Sequence, residues 1–347
     1  MIRRTLLAIG AAVILFAPVT ARAGIERAGT TAANFLSVGT GPSVLAMGGT
    51  AIGRSGSLDL ATWNPGALGW IENGSIVLSH ANLDDQTTQE WVGLGGRFGK
   101  LPTRWALSGL YQGEGTIEGR DASNRPTSAL HPSSFALGAY LAQSFGSHVA
   151  LGFGAKGVRE DLGVGASGSG VAFDAGLSMR FGILGIGAAA QNAFGSVRFG
   201  DVSYPFPTSY GAGVSLSHPA SGITAACDIN VPDAYYQNVC GGLEWQWKQH
   251  VALRAGYRAE LAAIADEPLA GPTFGMGAGG HGFWLDYGYL LSGNEGGQHR
   301  IALSFKPGAM AGWKLGDPYS QRSMPRDFGD QNTPGPMPPP APETKKD

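Results

Sequence analysis

The sequence predicts an all-β protein: a 14-stranded antiparallel transmembrane β-barrel, preceded by a short N-terminal plug segment that contains a small helix. Three observations support this prediction. Fourteen strand candidates follow one another between residues 75 and 305, and most are close to the ~9–11 residues that a transmembrane strand needs. In the clearest candidates one face is apolar and the other is small or charged. The connections between candidates alternate in length, as they do in outer-membrane barrels.

Residues 1–23 are typical of a signal peptide. Arg3 and Arg4 form its charged region, Leu6 to Val19 its apolar run, and Ala21-Arg22-Ala23 its cleavage motif. The apolar run is too short to span a membrane as a helix, and no later segment carries ~18 consecutive apolar residues. We therefore expect an exported mature chain, located in the outer membrane of a Gram-negative-type bacterium.

Residues 24–72 are predicted to form the plug. The stretch from 34 to 68 is rich in small residues and lacks the two-residue alternation of the later chain. Pro42 can begin a short helix that ends at glycine, and Trp63 to Gly66 form a turn because Pro presets φ while Asn and Gly tolerate left-handed backbone. A cap on a β-sandwich is the alternative structure for this segment. The residues of the predicted plug motif are Gly48, Gly49, Trp63, Asn64, Pro65 and Gly66.

Residues 73–306 hold the predicted barrel. In the sixth candidate, Phe173 and Leu177 share one face while Asp174 and Ser178 share the other. A soluble sandwich also alternates, but only 14% of all residues are charged, and Gly, Ala and Ser dominate the minority face, which suits a narrow lumen. The candidates span residues 75–83, 89–98, 103–112, 133–145, 148–160, 169–181, 183–192, 208–218, 221–230, 236–247, 250–259, 272–280, 283–291 and 297–305.

The connections give the barrel an expected orientation. Residues 113–132 form a long loop after the third candidate, whereas only Gly146 and Ser147 follow the fourth. An even strand number closes the sheet without an unpaired edge. With the first strand rising from the periplasm, the long loops lie outside the cell, and the Pro-rich tail, residues 307–347, is a disordered periplasmic tether or a docking segment. Interfacial aromatic girdles are expected from Trp91, Trp105, Trp245, Trp247, Tyr111, Tyr257, Tyr289 and Phe305.

The sequence contains no recognisable catalytic or metal-binding motif. Its three G-x-G-x-x-G matches lie within strand candidates or a loop, not between a strand and a helix, and its histidines lack metal-ligand spacing. We therefore expect no enzyme, no cofactor and no metal. A net charge of −2 without a basic block also argues against a nucleic-acid partner. Cys227 and Cys240 flank one loop, but strict alternation places them on opposite faces, so the sequence leaves a disulfide between them open.

Acidic and basic side chains are predicted on the lumen face. The favoured interpretation is cross-strand pairing inside a polar interior, and the alternative is a substrate-selective constriction. The candidate lumen charges are Asp174, Arg180, Asp228, Glu244, Arg254, Arg258, Asp286 and Arg300.

The N-terminal segment resembles the signature of the PorV/PorQ family of outer-membrane proteins. The matching pieces are residues 35–39 (FLSVG), 45–49 (LAMGG) and 60–65 (LATWNP), although Gly66-Ala67 stands where the family has Ala followed by Gly. More distantly, the chain resembles FadL-type barrels that carry hydrophobic molecules, and the likeness covers residues 33 to 306 or so. Both resemblances imply a 14-stranded barrel with an N-terminal plug.

Three functional hypotheses follow from these resemblances and from the sequence. The first is a PorV/PorQ-type plugged barrel acting in protein secretion or surface export, whose outer loops engage secreted cargo or secretion-system components. The second is a FadL-like transporter of a hydrophobic small molecule. The third is a barrel that anchors its periplasmic tail. In each case outer-membrane lipid is a partner. An apolar pocket between plug and wall favours the second hypothesis, and a lumen closed by charged pairs beneath large ordered loops favours the first.

Overall fold

The computed structural model describes residues 28–71, 74–84, 86–248, 250–261, 270–291 and 297–307. The predicted signal peptide and almost all of the Pro-rich tail lie outside these residues. The predicted fold class is confirmed: fourteen antiparallel strands close a barrel, because β5 pairs with β6 and β1 pairs with β16. In the described part of the chain, no helix is long and apolar enough to cross a membrane.

The described residues form sixteen strands, of which fourteen build the barrel and two form a separate hairpin. The first seven are β1 (Ser75–Asn82), β2 (Thr88–Arg97), β3 (Thr103–Gly113), β4 (Ser133–Phe145), β5 (Val149–Asp161), β6 (Ser167–Phe181) and β7 (Leu184–Ala193). The hairpin is β8 (Ser196–Phe199) and β9 (Val202–Pro205). The barrel continues with β10 (Ser209–His218), β11 (Ile223–Pro232), β12 (Asn238–Trp247), β13 (Val251–Glu260), β14 (Gly271–Gly280), β15 (Phe283–Leu290) and β16 (Gln298–Phe305).

The two ends of the barrel differ in their connections. Six turns of two to five residues join strands at one end, and seven loops of five to nineteen residues join them at the other. We call these the turn end and the loop end. The β8–β9 hairpin belongs to the second-longest connection, which joins β7 to β10. It pairs with the loop end of β6, where Phe199 lies opposite Gly168. The sequence prediction missed this hairpin and treated residues 193–207 as a loop.

Alternation along each strand separates an apolar outer face from the lumen. On β13, Leu253 is 48% exposed on the outside, whereas its neighbour Arg254 is 5% exposed on the inside. Successive side chains of a strand point to opposite faces, so the period of two in the sequence carries directly into this arrangement. Many large apolar side chains of the outer face are exposed, as expected for a surface that meets lipid.

Two sequence expectations are corrected by the strand register. The prediction that Trp91 belongs to an outer aromatic girdle is wrong. Its side chain points inward and is only 4% exposed, because it alternates along β2 with the outward Val92. The disulfide that the sequence left open does not form. Cys227 is an exposed free thiol and Cys240 a buried one, and Cys240 lies opposite Asp228 rather than Cys227.

The N-terminal segment, residues 28–71, lies inside the barrel. It contains one α-helical turn, α1 (Pro42–Leu45), and 3-10 helices at Asn34–Ser37, Asp59–Thr62 and Pro65–Trp70. The helix α1 begins at the expected proline. Asn64 caps the last 3-10 helix, since its side-chain oxygen accepts a hydrogen bond from the Gly66 N–H at 2.9 Å. Phe35 and Leu68 of the segment join one buried apolar cluster with wall residues such as Tyr140.

A charge placed on the outer face tests which side of the sheet meets lipid. Leu107 is 50% exposed on the outside of β3, between the outward residues Trp105 and Tyr111. We expect Leu107→Arg to lower the free energy of unfolding in bilayers by about 2–4 kcal/mol, because the guanidinium must enter hydrocarbon. Urea unfolding in lipid vesicles measures the change. Ser123→Arg, in an exposed loop, should stay within about 0.5 kcal/mol, and equal losses would contradict the assigned outer face.

Candidate functional site

The N-terminal segment is held to the barrel wall by a buried carboxylate. Asp228 of β11 is 1% exposed, and it accepts hydrogen bonds from the backbone N–H groups of Ala51 at 2.6 Å, Ile52 at 2.7 Å and Gly53 at 3.4 Å. An ionised carboxylate binds backbone donors more strongly than a neutral acceptor does. Asp228, one of the predicted lumen charges, therefore binds the segment directly.

A second anchor is the buried side chain of Asn64. Its amide donates to the Ile52 carbonyl at 2.9 Å and to the Leu177 carbonyl of β6 at 3.0 Å, while its oxygen caps the following helix. The side-chain amide thus donates two hydrogen bonds and its oxygen accepts one, which explains why the turn at residues 63–66 needs asparagine. Trp63, beside it, donates its indole N–H to the Thr40 carbonyl at 3.1 Å within the segment.

Small residues let the segment approach the wall backbone. A Cβ atom added at Gly48, where φ is +71°, would lie 2.5 Å from the Tyr257 carbonyl oxygen. A Cβ at Gly66 would lie 2.8 Å from the Ser178 nitrogen, whereas one at Gly49 would meet only the Cys240 sulfur, at 3.2 Å. The wall contributes its own glycine at 242, where a Cβ would be 2.4 Å from the Met47 oxygen. Gly48 and Gly66 thus lack space for a side chain, and Gly49 favours glycine through its backbone, where φ is +93°.

Apart from Asp228, the predicted lumen charges form three groups. In the first, the Arg254 guanidinium lies 2.6 Å from both the Glu244 and the Asp286 carboxylates, and all three side chains are largely buried. Arg54 of the N-terminal segment is close to this group. Burial is the largest influence on the Arg54 guanidinium and lowers its pKa, while the Glu244 charge acts in the opposite direction.

The second group pairs lumen charges with residues that the sequence analysis did not select. The Lys156 amine is 2.9 Å from the Asp174 carboxylate and also donates to the Asn192 side chain. The Arg258 guanidinium is 2.8 Å from Glu260. Lys156 and Glu260 face inward by strict alternation, so the same pattern that selected Asp174 and Arg258 would have identified them.

The third group comprises two arginines that bind the N-terminal segment. Arg300 is 3% exposed and donates to the Val38 carbonyl at 3.0 Å and the Gly39 carbonyl at 2.8 Å. The Arg180 guanidinium lies over the Trp70 ring, 5.2 Å from its centroid, near the turn end. These contacts fasten the two ends of the segment to opposite ends of the lumen.

A cavity of about 410 Å³ lies between the N-terminal segment and the loop half of the wall. Its walls are mainly apolar and aromatic, and its volume is in the range of sites for drug-sized molecules. Its charged residues Lys156 and Arg258 already have carboxylate partners. The apolar and aromatic side chains that line it include Leu36, Val38, Trp63, Trp91, Leu110, Ala136, Tyr140 and Tyr235, and the polar ones include Asn34, Thr40, Thr62, Ser108, Lys156, Gln191, Asn192, Thr208, Asn230, Asn238 and Arg258.

The largely apolar surface of the cavity is the kind that suits an apolar molecule. Three or more His, Cys, Asp or Glu side chains that could hold a metal ion do not come together anywhere in the described ranges. The sequence analysis missed the cavity, because its volume depends on how the segment packs against the wall. The inward position of Trp91 was the one signal that could have indicated it.

Comparisons with known proteins find similarity at the level of the fold. No protein-family model matches the chain, and no curated protein sequence matches it. Among solved structures, the toluene transporter TbuX of Ralstonia pickettii aligns with a TM-score of 0.56 at 13% identity, covering 77% of this chain and 98% of that one.

Two further solved structures align over the same share of this chain. The Pseudomonas putida toluene transporter TodX has a TM-score of 0.56 at 14% identity, covering 77% of this chain and 97% of its own. A Pseudomonas aeruginosa FadL homologue has a TM-score of 0.52 at 10% identity, covering 77% and 98%. The chain therefore has a FadL-like barrel fold.

Proposed function

We propose that this protein is an outer-membrane transporter of a hydrophobic small molecule. The observation that carries the proposal is the apolar cavity between the N-terminal segment and the loop half of the barrel. Two proteins of similar fold are described as toluene transporters, which supports the same class of cargo here. A ligand from the loop end would exchange water for contacts with Trp91, Leu110 and Ala136, and this transfer of apolar surface is favourable.

The N-terminal segment makes the proposed transporter selective. Between the cavity and the turn end, the lumen is occupied by the segment, by the Asp228 anchor and by the Glu244–Arg254–Asp286 group. These groups fill much of the described lumen, so a general porin is not the function proposed. The cavity selects by apolar surface instead.

Protein secretion of the PorV/PorQ type is the second candidate. The motif residues 35–39, 45–49 and 60–65 favour it, and so does the charged group centred on Arg254, which this hypothesis anticipates. Secretion through the outer loops does not require an apolar cavity, however, and no family model supports the PorV/PorQ resemblance. Transport of a hydrophobic molecule accounts for more of the observed geometry.

Filling the cavity tests the proposed transporter. Ala136 is 3% exposed and lines the cavity, whereas its neighbour Leu137 is 58% exposed on the outer face. We expect Ala136→Phe to weaken binding of the apolar fluorophore N-phenyl-1-naphthylamine on the order of tenfold, because the new ring occupies ligand volume. Titration of the purified full-length protein measures the affinity.

Leu137→Phe is the matched control for this experiment. It adds the same ring one residue away, toward lipid, and should leave the affinity unchanged. Thermal unfolding of both variants checks that the barrel is intact. Equal affinities for the two variants would place the fluorophore outside the cavity and remove the main support for the proposal.

The orientation of the barrel has its own test. Asn124 lies in the long β3–β4 loop, and Ser147 lies in the β4–β5 turn. In a background lacking Cys227 and Cys240, we expect Asn124→Cys to react with a membrane-impermeant thiol reagent on whole cells. Ser147→Cys should react only after the outer membrane is opened. Labelling of Ser147→Cys on intact cells would invert the proposed orientation.

A further inference from the structure

The two ends of the barrel differ in charge. The six turns and the strand ends beside them contain Lys, Arg and His but no Asp or Glu, and Lys306 follows β16. Every loop at the opposite end contains or directly follows an acidic residue. Glu72, three residues before β1 begins at the turn end, lies outside the described residues. The turn end is thus positive, although the chain carries a net charge of −2.

The cations of the turn end are accessible. Arg97 and Lys100 of the β2–β3 turn are exposed, and so is Lys248 of the β12–β13 turn. Among the described residues, the Arg97 guanidinium donates to the backbone of its own turn, at the Leu101 carbonyl (2.8 Å) and the Lys100 carbonyl (2.7 Å). Within the described ranges, no carboxylate pairs with the amines of Lys100 and Lys248. With respect to the described residues, these exposed charges are available to an anion from outside the chain.

The same cations lie beside outward-facing aromatic rings. The Lys248 amine is 4.9 Å from the centroid of Trp247, which is 48% exposed on the outer face. Phe98, in the turn that contains Lys100, contacts the Trp105 ring at 6.0 Å between centroids. Aromatic rings of this kind mark the level where hydrocarbon meets headgroups, and long basic side chains extend from there into the polar layer.

We propose that the turn end binds anionic phospholipid headgroups of the leaflet that surrounds it. The β2–β3 and β12–β13 turns lie on nearly opposite sides of the barrel. The turns are also short, so they offer no continuous surface on which one compact protein could contact both sides. A lipid leaflet encircles the barrel, and its phosphates lie at the height of these amines and guanidiniums, which attract them electrostatically. The loop end, where every loop contains or follows an acidic residue, is not expected to attract lipid phosphates in this way.

Electron paramagnetic resonance of spin-labelled lipids tests the proposal. The full-length protein is reconstituted in phosphatidylcholine bilayers with trace spin-labelled phosphatidylglycerol or phosphatidylcholine in both leaflets. We expect several-fold preference for phosphatidylglycerol at the protein surface, since each Lys or Arg near an anionic headgroup strengthens association roughly fivefold. Added salt should reduce this preference. Lys100→Gln combined with Lys248→Gln should also reduce it.

Two controls test whether the lipid preference comes from the positive charge of the turn end. Arg125→Gln combined with Arg198→Gln removes the same charge from exposed loop-end positions and should leave the preference unchanged. Lys100→Arg combined with Lys248→Arg should preserve it. If the glutamine variant fails to fold, the salt titration of the unmodified protein decides the question. Equal association of the two lipids, or an equal loss in the loop-end control, would overturn the proposal.

Discussion

Asp228→Ala is expected to lower the free energy of unfolding by about 3–5 kcal/mol. The substitution leaves the buried N–H groups of Ala51, Ile52 and Gly53 without their acceptor. Each unpaired buried donor costs about 1–3 kcal/mol, and bonds to a charged acceptor are at the upper end of that range. The loss should appear as a lower urea midpoint in lipid vesicles, with heat-modifiable migration on gels as the assay of folding.

The same variant should also open the lumen. Once its anchor to β11 is lost, the N-terminal segment can leave the wall, so we expect higher ion conductance in planar bilayers than for the unmodified protein. Asp228→Asn keeps one acceptor oxygen and should show an intermediate loss, which keeps the test informative if the alanine variant does not fold. Asp201→Ala, at the exposed tip of the β8–β9 hairpin, is the control. Equal stability of the Asp228 and Asp201 alanine variants would contradict the proposed anchor.

Gly242→Ala is expected to destabilise the protein by about 3 kcal/mol. Its added Cβ would lie 2.4 Å from the Met47 carbonyl oxygen and 2.8 Å from the Met47 carbonyl carbon. These are backbone atoms, so the segment cannot yield by a rotamer change and must shift as a whole, and overpacking of this kind costs about 1–3 kcal/mol or more. Urea unfolding and bilayer conductance again provide the measurements.

The neighbouring residue supplies a matched control. A Cβ atom added at Gly241 would meet nothing within 4 Å, because this position faces outward. Gly241→Ala changes the same residue type in the same strand and should be close to neutral. If both alanine variants lost the same stability, the effect would come from the strand backbone, and close packing of the N-terminal segment against β12 would be refuted.

The barrel itself was predictable because its signal is local. Alternation of period two assigns each side chain to a face from the sequence alone, so the inward positions of Asp174 and Arg254 followed directly. The turn at Asn64-Pro65 was also local, since proline and asparagine have strong intrinsic preferences. The same local rules could have predicted the β8–β9 hairpin, because Gly200-Asp201 is a two-residue turn signal between short strand-like runs. The strand prediction instead assigned these residues to a long loop.

Only some contacts of the lumen were predictable from alternation: Glu244 lies directly opposite Arg254 in register, but other charges pair differently. The pairing of Lys156 with Asp174 joins β5 and β6 between positions that are not directly opposite in register, where Lys156 faces Ala172. The role of Asp228 depends on where the N-terminal segment comes to lie, not on its own strand. The cavity is the volume that the segment leaves unfilled, so its size depends on packing and not on the strand pattern.

Native mass spectrometry of the full-length protein extracted from outer membranes tests the central claim most directly. A transporter of hydrophobic molecules should release a bound apolar small molecule on activation in the gas phase, and the Ala136→Phe variant should lack it. The Leu137→Phe variant should retain it. A stoichiometric secreted protein in the spectrum of the unmodified barrel, with no small molecule bound, would contradict the proposed transport function and favour secretion instead.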